Sequence, residues 1–197
     1  MKCLVIYTHP NPKSFNAAIK EHIVSELEKN GHDVSIRDLY ELGFNSILSA
    51  DDFVHFQKGE VAPDIEAEQN EIKWADTLFF VFPTWWENMP AMLRGYIDRV
   101  FSTGFAYKYS DEGPIGLLKG KKAVILQTTG SPEEVLDSSN LLSSMKKVIG
   151  NGIFSFVGIE TIAHKFFFAV PFISNDERKK MLSELVNFIN NEFPKGK

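Results

Sequence analysis

A chain of 197 residues, 44% hydrophobic and 24% charged, suits one core that buries roughly 70% of the unfolded surface. Its 21 Lys+Arg against 26 Asp+Glu leave a net charge of −5 and no overall basic field for a phosphate backbone, which argues against nucleic-acid binding. One cysteine, Cys3, excludes an intrachain disulfide and a Cys-based zinc site, and no apolar run approaches the roughly 20 residues of a membrane span.

Residues 2–8 (KCLVIYT) form a β-favouring run without alternation, the pattern of a strand covered on both faces. Residues 16–30 carry Ala18, Ile19, Ile23 and Leu27 at helical spacing, with Gly31 as the stop. A second strand follows over 33–38, then an irregular stretch over 39–62 that holds one short helix. Pro63 and Asp64 start a helix running to Trp74, and residues 77–82 (TLFFVF) make a third, buried strand. Residues 90–100 place Leu93, Ile97 and Val100 on one helical face, and 122–128 (KAVILQT) make a fourth strand. A helix is expected over 137–149, broken by Gly152, with a fifth strand over 153–162. The last helix, capped by Ser174 or Asn175, carries Met181, Leu182, Leu185, Val186 and Ile189 as its apolar stripe.

Strands alternating with helices call for a parallel sheet with right-handed crossovers. The expectation is an α/β three-layer sandwich: a five-stranded parallel sheet of order 2-1-3-4-5, helices on both faces, and a single domain over 1–197. Ligands of such sheets bind beyond the carboxyl ends of the strands at the switch point, so three loops belong together. Thr8 to Asn16 leaves the first strand and enters a helix. It has neither GxGxxG nor Walker A spacing, yet Ser14 and Asn16 offer polar groups at a helix N-terminus, which favours phosphate. Ser14 also serves as a plain N-cap, and His9 and Lys13 as ordinary loop residues.

Phe82 to Pro90 packs Trp85 and Trp86 between a buried strand and a helix, a composition suited to the edge of a flat ring and equally to closing a core or an interface. Gln127 to Pro132 adds hydroxyls and a glycine that lets backbone approach a ligand. His22, His32, His55 and His164 are scattered without metal spacing, and no GxSxG elbow or Cys-His grouping supplies a hydrolytic nucleophile.

Taken together, His9 with Ser14-Phe15-Asn16, Asp38-Leu39-Tyr40, Pro63-Asp64-Ile65, Phe82-Pro83, Trp86, Pro90-Ala91, Arg99-Val100-Phe101, Gly104 to Tyr107 and Thr128-Thr129-Gly130 resemble the flavodoxin-like NAD(P)H:quinone oxidoreductases, the family of DT-diaphorase and modulator of drug activity B. The resemblance runs over most of the chain. It implies a bound flavin, FAD by preference and FMN as the alternative, reduced by NAD(P)H and reoxidised by a quinone or similar flat acceptor. It further implies that His9, Ser14, Phe15 and Asn16 hold the phosphate and adenosine end, that Pro83, Thr84, Trp85, Trp86 and Glu87 contact the ring and ribityl chain, and that Thr128, Thr129 and Gly130 run along the ring's other edge. In the family two subunits share the site: Gln69 matches a position reaching the partner's flavin, and Tyr107 an aromatic stretch near the acceptor pocket.

Two departures stand out. Ser131 to Val135 lacks the Tyr and His that assist hydride transfer in mammalian-type members, and Glu87 stands where those have an aromatic. A cytoplasmic homodimer with no metal is the expectation. A flavin-binding redox sensor of a partner such as a potassium-efflux system is the alternative, and a one-electron carrier is the third reading.

Overall fold

Cys3, Val5 and Tyr7 turn to one side of the first strand and Leu4 and Ile6 to the other, and both sets are sealed from solvent. Side chains alternate across a strand, so a run that is apolar at every position needs cover on both faces. The computed structural model, which describes residues 1–195, supplies that cover; residues 196 and 197 of the expected 1–197 unit lie outside the described ones.

The main sheet contains β1 (Lys2–Tyr7), β2 (Asp33–Asp38), β3 (Thr77–Pro83), β6 (Lys122–Thr128) and β7 (Glu160–Phe167), all parallel, in the order β2-β1-β3-β6-β7. That is the 2-1-3-4-5 order expected, because β4 (Tyr107–Ser110) and β5 (Gly113–Gly116) pair antiparallel in a hairpin of their own. Helices α1 (Phe15–Lys29) and α7 (Asn175–Glu192) cover the face of Cys3, Val5, Phe79 and Val124 with Ile19, Ile23, Leu185 and Ile189. Helices α3 (Pro63–Trp74), α4 (Ala91–Val100) and a π-helix (Lys147–Ser155) cover the opposite face, which presents Leu4, Leu78, Phe80 and Ile125.

The irregular stretch before α3 contains α2 (Ala50–Lys58), whose N-terminus is closed by reciprocal bonds between Ser49 and Asp52. It lies against α4 at Gly95, where an added Cβ would come within 1.9 Å of the Ser46 carbonyl oxygen. The buried Arg99 of α4 donates from Nε and Nη2 to Asp52 at 3.0 and 2.9 Å, and from Nη1 to Asn45 O at 2.8 Å and to Asp64. One guanidinium thus ties the stretch to α3 and α4.

Two sequence expectations change. The helix expected over 137–149 is three helical pieces: α5 (Glu133–Ser138), then, after a left-handed Asn140, α6 (Leu141–Lys146), which continues into the π-helix. Gly152 does not end it; helical backbone continues to Val157, and the stop is Gly158 at φ +88°, a conformation glycine adopts without steric cost. The fifth strand therefore begins at Glu160, not 153. Ile153, Phe154 and Val157 are buried because they form the sheet-facing side of a helix, and a short apolar run alone does not separate that case from a buried strand.

Candidate functional site

At the carboxyl edge of the sheet, β1, β3 and β6 end side by side, and three loops leave from adjacent points. Thr84 N–H donates to Thr128 O at 2.7 Å, which stitches the loop after β3 to the end of β6. Asn16 Nδ2 donates to Thr128 Oγ1 at 2.9 Å, which stitches the start of α1 to the same residue. The rings of His9 and Trp85 lie 6.0 Å apart, so the first and second loops meet as well. Thr129 and Gly130 continue from β6, with Thr129 N–H bonded to Phe167 O at 2.8 Å.

Within the first loop, Ser14 caps α1: its Oγ accepts from Ala17 N–H at 3.1 Å and lies 3.3 Å from the Tyr7 hydroxyl. Its side chain is therefore committed to the helix, and the N–H groups of Phe15 and Asn16 are the remaining first-turn donors. The Phe15 ring packs edge-on against Phe167 at 5.9 Å, so Phe15 serves the edge through its backbone. Asn16 Oδ1 and Thr8 Oγ1, at the start of α1 and the end of β1, are buried without a partner among the described residues, two polar atoms whose needs the chain leaves unmet. His9 Nδ1 accepts from Asn11 N–H at 3.0 Å, which requires a bare Nδ1, and burial holds the ring's pKa below its ordinary value. His9 is thus a neutral ring with Nε2–H to give.

The second loop is a two-residue hairpin. Trp85 and Asn88 exchange backbone bonds at 2.9 and 3.1 Å, and Trp86 and Glu87 between them both take φ 54°. Paired left-handed residues are the requirement of a type I′ turn, where Asn-Gly is preferred. The turn throws Trp86 fully into solvent at 98% exposure, with Trp85 at 40%, so the indoles close no core in this chain. In the third loop an added Cβ at Gly130 would meet nothing within 4 Å, so the edge is open on that side.

Behind the loops runs a polar chain. Gln127, fully buried, donates from Nε2 to Thr84 Oγ1 at 2.7 Å and toward Met145 Sδ at 3.5 Å, while its Oε1 lies 2.9 Å from His164 Nε2. Burial pushes His164 down to about 4, with Lys146 adding to the effect, so the ring is neutral at pH 7. In the sequence His164 stands as one of several scattered histidines, beyond the strand expected over 153–162; because β7 begins at Glu160, His164 lies within it, beside Ile125 of β6.

Two expected site residues lie elsewhere in the chain. Gln69, 4% exposed, donates to Val100 O and Ser102 Oγ, both at 3.1 Å, beneath α3. Tyr107 packs on Phe156 at 5.2 Å and on Tyr109 at 5.7 Å, and borders a cleft of about 240 Å³ with Arg94, Ile97 and Asp98. That cleft lies against the far half of α4. Cys3 is buried with its thiol pushed up to about 11, and so is no nucleophile at neutral pH. No cluster of three or more His, Cys, Asp or Glu among the described residues could hold a metal ion, and none of the described helices is long and apolar enough to cross a membrane.

The sequence matches the family described as having a flavodoxin-like fold over residues 1–189. An NAD(P)H oxidoreductase of Haemophilus influenzae, itself uncharacterised, is 38% identical over 183 residues, spanning 92% of this chain and 91% of its own. The mouse ribosyldihydronicotinamide dehydrogenase (quinone) is 33% identical over 202 residues, 92% of this chain and 87% of its own. Among solved structures, the NAD(P)H:quinone oxidoreductase of Methanothermobacter marburgensis superposes with a TM-score of 0.87 at 29% identity, covering 98% of this chain and 97% of that one.

Proposed function

The chain belongs to the flavodoxin-like fold family, and from that premise we propose that it holds a flavin across the carboxyl edge of its sheet and passes hydride from NAD(P)H to a quinone or similar flat acceptor. It is an oxidoreductase of the NAD(P)H dehydrogenase (quinone) kind. The finer reading, covering the flavin, its site, the two-step reaction and one flavin-binding domain over 1–197, rests on a single observation. At the meeting point of three strand ends, a left-handed hairpin holds Trp86 out in solvent, and Gly130, leaving the end of β6, has open space where a Cβ would stand.

The residues suit a flavin. The Phe15 and Asn16 N–H groups at the positive end of a 15-residue helix would hold its phosphate, and neutral His9 and the Trp85 face would border the adenosine end of FAD. Trp86 and the backbone of Thr84 to Glu87 would lie along one ring edge, and Thr128 to Gly130 along the other. The unpartnered Asn16 Oδ1 and Thr8 Oγ1 mark the edge as built for a polar occupant.

When bound, a flavin supplies the hydride-accepting and hydride-donating centre between the two substrates. The chain's own part is to stack donor and acceptor in turn on one face and to aim fixed backbone N–H donors at developing negative charge. Trp86, exposed in this chain, would lie over the edge of a bound ring. No side-chain acid or base is required of this chain, in keeping with Ser131 to Val135, which offers no Tyr or His.

The resemblance further implies two chains sharing the site. A homodimer would bring the exposed Tyr109, away from the strand ends of its own chain, to the partner's edge, whereas Gln69 stays buried beneath α3 with its amide held by Val100 and Ser102. The test of the site is cofactor retention. The purified protein, incubated with FAD and with FMN and then desalted, is expected to stay yellow with one flavin per chain and to release that flavin intact on denaturation. A chain that remains colourless after both incubations would overturn the reading.

A further inference from the structure

Resting on the flavin reading above, we propose that Thr84 is a directed hydrogen-bond donor to the bound flavin, with Gln127 and His164 as the positioning residues that turn its hydroxyl hydrogen outward.

The direction follows from which atoms can give hydrogens. Met145 Sδ, 3.5 Å from Gln127 Nε2, has none, so the amide nitrogen faces Met145 and Thr84 and the amide oxygen faces His164. Turning the amide over would set its oxygen against the sulfur. With the oxygen toward His164, the ring must carry its hydrogen on Nε2 to make the 2.9 Å bond. Nδ1 is then a bare lone pair, and it is the buried His164 nitrogen with no partner among the described residues.

With Gln127 Nε2 donating at 2.7 Å, Thr84 Oγ1 is an acceptor on its inner side. Its own hydrogen must then point away from Gln127. Among the described residues no acceptor is found for it, while Thr84 opens the loop that carries Trp85 and Trp86 and is itself half-buried at the strand end. The chain His164 Nε2–H to Gln127 Oε1, Gln127 Nε2–H to Thr84 Oγ1, leaves one donor at its outer end. That donor meets an acceptor only if something occupies the edge. A flavin presents acceptors in its carbonyl oxygens, its ring nitrogens N1 and N5 and its ribityl hydroxyls.

This network is a feature of a β-strand interior rather than of a loop: Gln127 lies fully buried in β6, where an aliphatic residue would pack without leaving polar groups to satisfy. A buried glutamine and a half-buried histidine that end in a single outward donor are explained by what the donor does.

The experiment titrates flavin-free protein with FAD and with FMN, following quenching of flavin fluorescence, for wild type, Thr84→Val, Thr84→Ser, Gln127→Leu and the Thr84→Val/Gln127→Leu double variant. Loss of one hydrogen bond lowers affinity by about five- to tenfold. That loss is expected for Thr84→Val and for Gln127→Leu, with wild-type affinity retained by Thr84→Ser. The double variant is expected to bind no worse than Thr84→Val, because Gln127 acts only through the Thr84 hydroxyl, which that change already removes. Gln127→Leu also strips partners from His164 and lowers the melting temperature, a cost equal in both Thr84 backgrounds, so the comparison of affinities is blind to it. Wild-type affinity in Thr84→Val, or losses that multiply in the double variant, would overturn the proposal while leaving the flavin reading intact. A wild type that takes up neither flavin would overturn both.

Discussion

Trp86 and Glu87 occupy backbone that L-residues rarely adopt, and neither is the glycine or asparagine that such a hairpin favours. Strain of this kind, of order 1–3 kcal/mol, persists where the surroundings hold it and gathers at ligand sites. Glu87→Gly is therefore expected to raise the stability of the flavin-free protein by about 1 kcal/mol in urea unfolding. An unchanged midpoint would mean the turn is relaxed. Gly130 offers a separation of site from fold. Its added Cβ meets open space and its φ lies outside the left-handed region, so Gly130→Val is expected to leave the melting temperature of the flavin-free protein within a degree or two and to abolish flavin retention. His164 carries a pH signature. Its folded pKa of about 4 lies below the ordinary 6.5, so as pH falls the unfolded chain takes up a proton before the folded one does. The stability this site contributes is complete above about pH 7, drains away between pH 6.5 and 4, and falls no further below that; at 1.36 kcal/mol per unit it amounts to about 3 kcal/mol. His164→Gln is expected to flatten that interval in unfolding curves taken at pH 4.5 and 7.

Among the elements, the stretch that carries α2 is held by contacts with little tolerance. Gly95→Ala would place its Cβ 1.9 Å from the Ser46 carbonyl oxygen and is expected to cost about 3 kcal/mol or to displace the stretch from α4, readable as new proteolytic nicking between residues 39 and 62. Arg99→Met, which leaves Asp52 buried without its cation, is expected to cost about 3–5 kcal/mol. Strands β1, β3 and β6 were legible because buried parallel strands are apolar at nearly every position, while β2 is a half-exposed edge strand with polar residues, and the helix starts were legible because Pro63 and Ser174 are strong local signals. The fifth strand was not. Residues 153–157 are as apolar as any strand, and their helical state depends on packing against Phe80 and Phe101, a contact that only the folded chain contains. The hairpin of β4 and β5 was missed for a related reason: β4 leaves three of its four residues exposed, so no burial pattern marks it. The meeting of the three loops was legible from topology alone, since strand order fixes which ends are neighbours. The Gln127 to His164 link was not, because it crosses strands 37 residues apart.

At the scale of the whole molecule, the exposed Ile47, Phe53 and Val54 lie on and beside α2, with Tyr109 exposed on the hairpin. Exposed apolar groups of this size suit a partner surface, and the second copy implied by the resemblance would cover them. Sedimentation equilibrium is expected to give twice the chain mass of 22.3 kDa, and a monomer at micromolar concentration would contradict the shared site. The central claim is that the carboxyl edge of this sheet carries hydride between two substrates through a bound flavin. Its most direct test is anaerobic spectroscopy of the yellow protein, adding NADPH or NADH and then menadione. The visible flavin bands are expected to bleach on adding the nicotinamide and to return in full on adding one equivalent of quinone. Bands that survive the nicotinamide, or that bleach and stay bleached with quinone present, would contradict it.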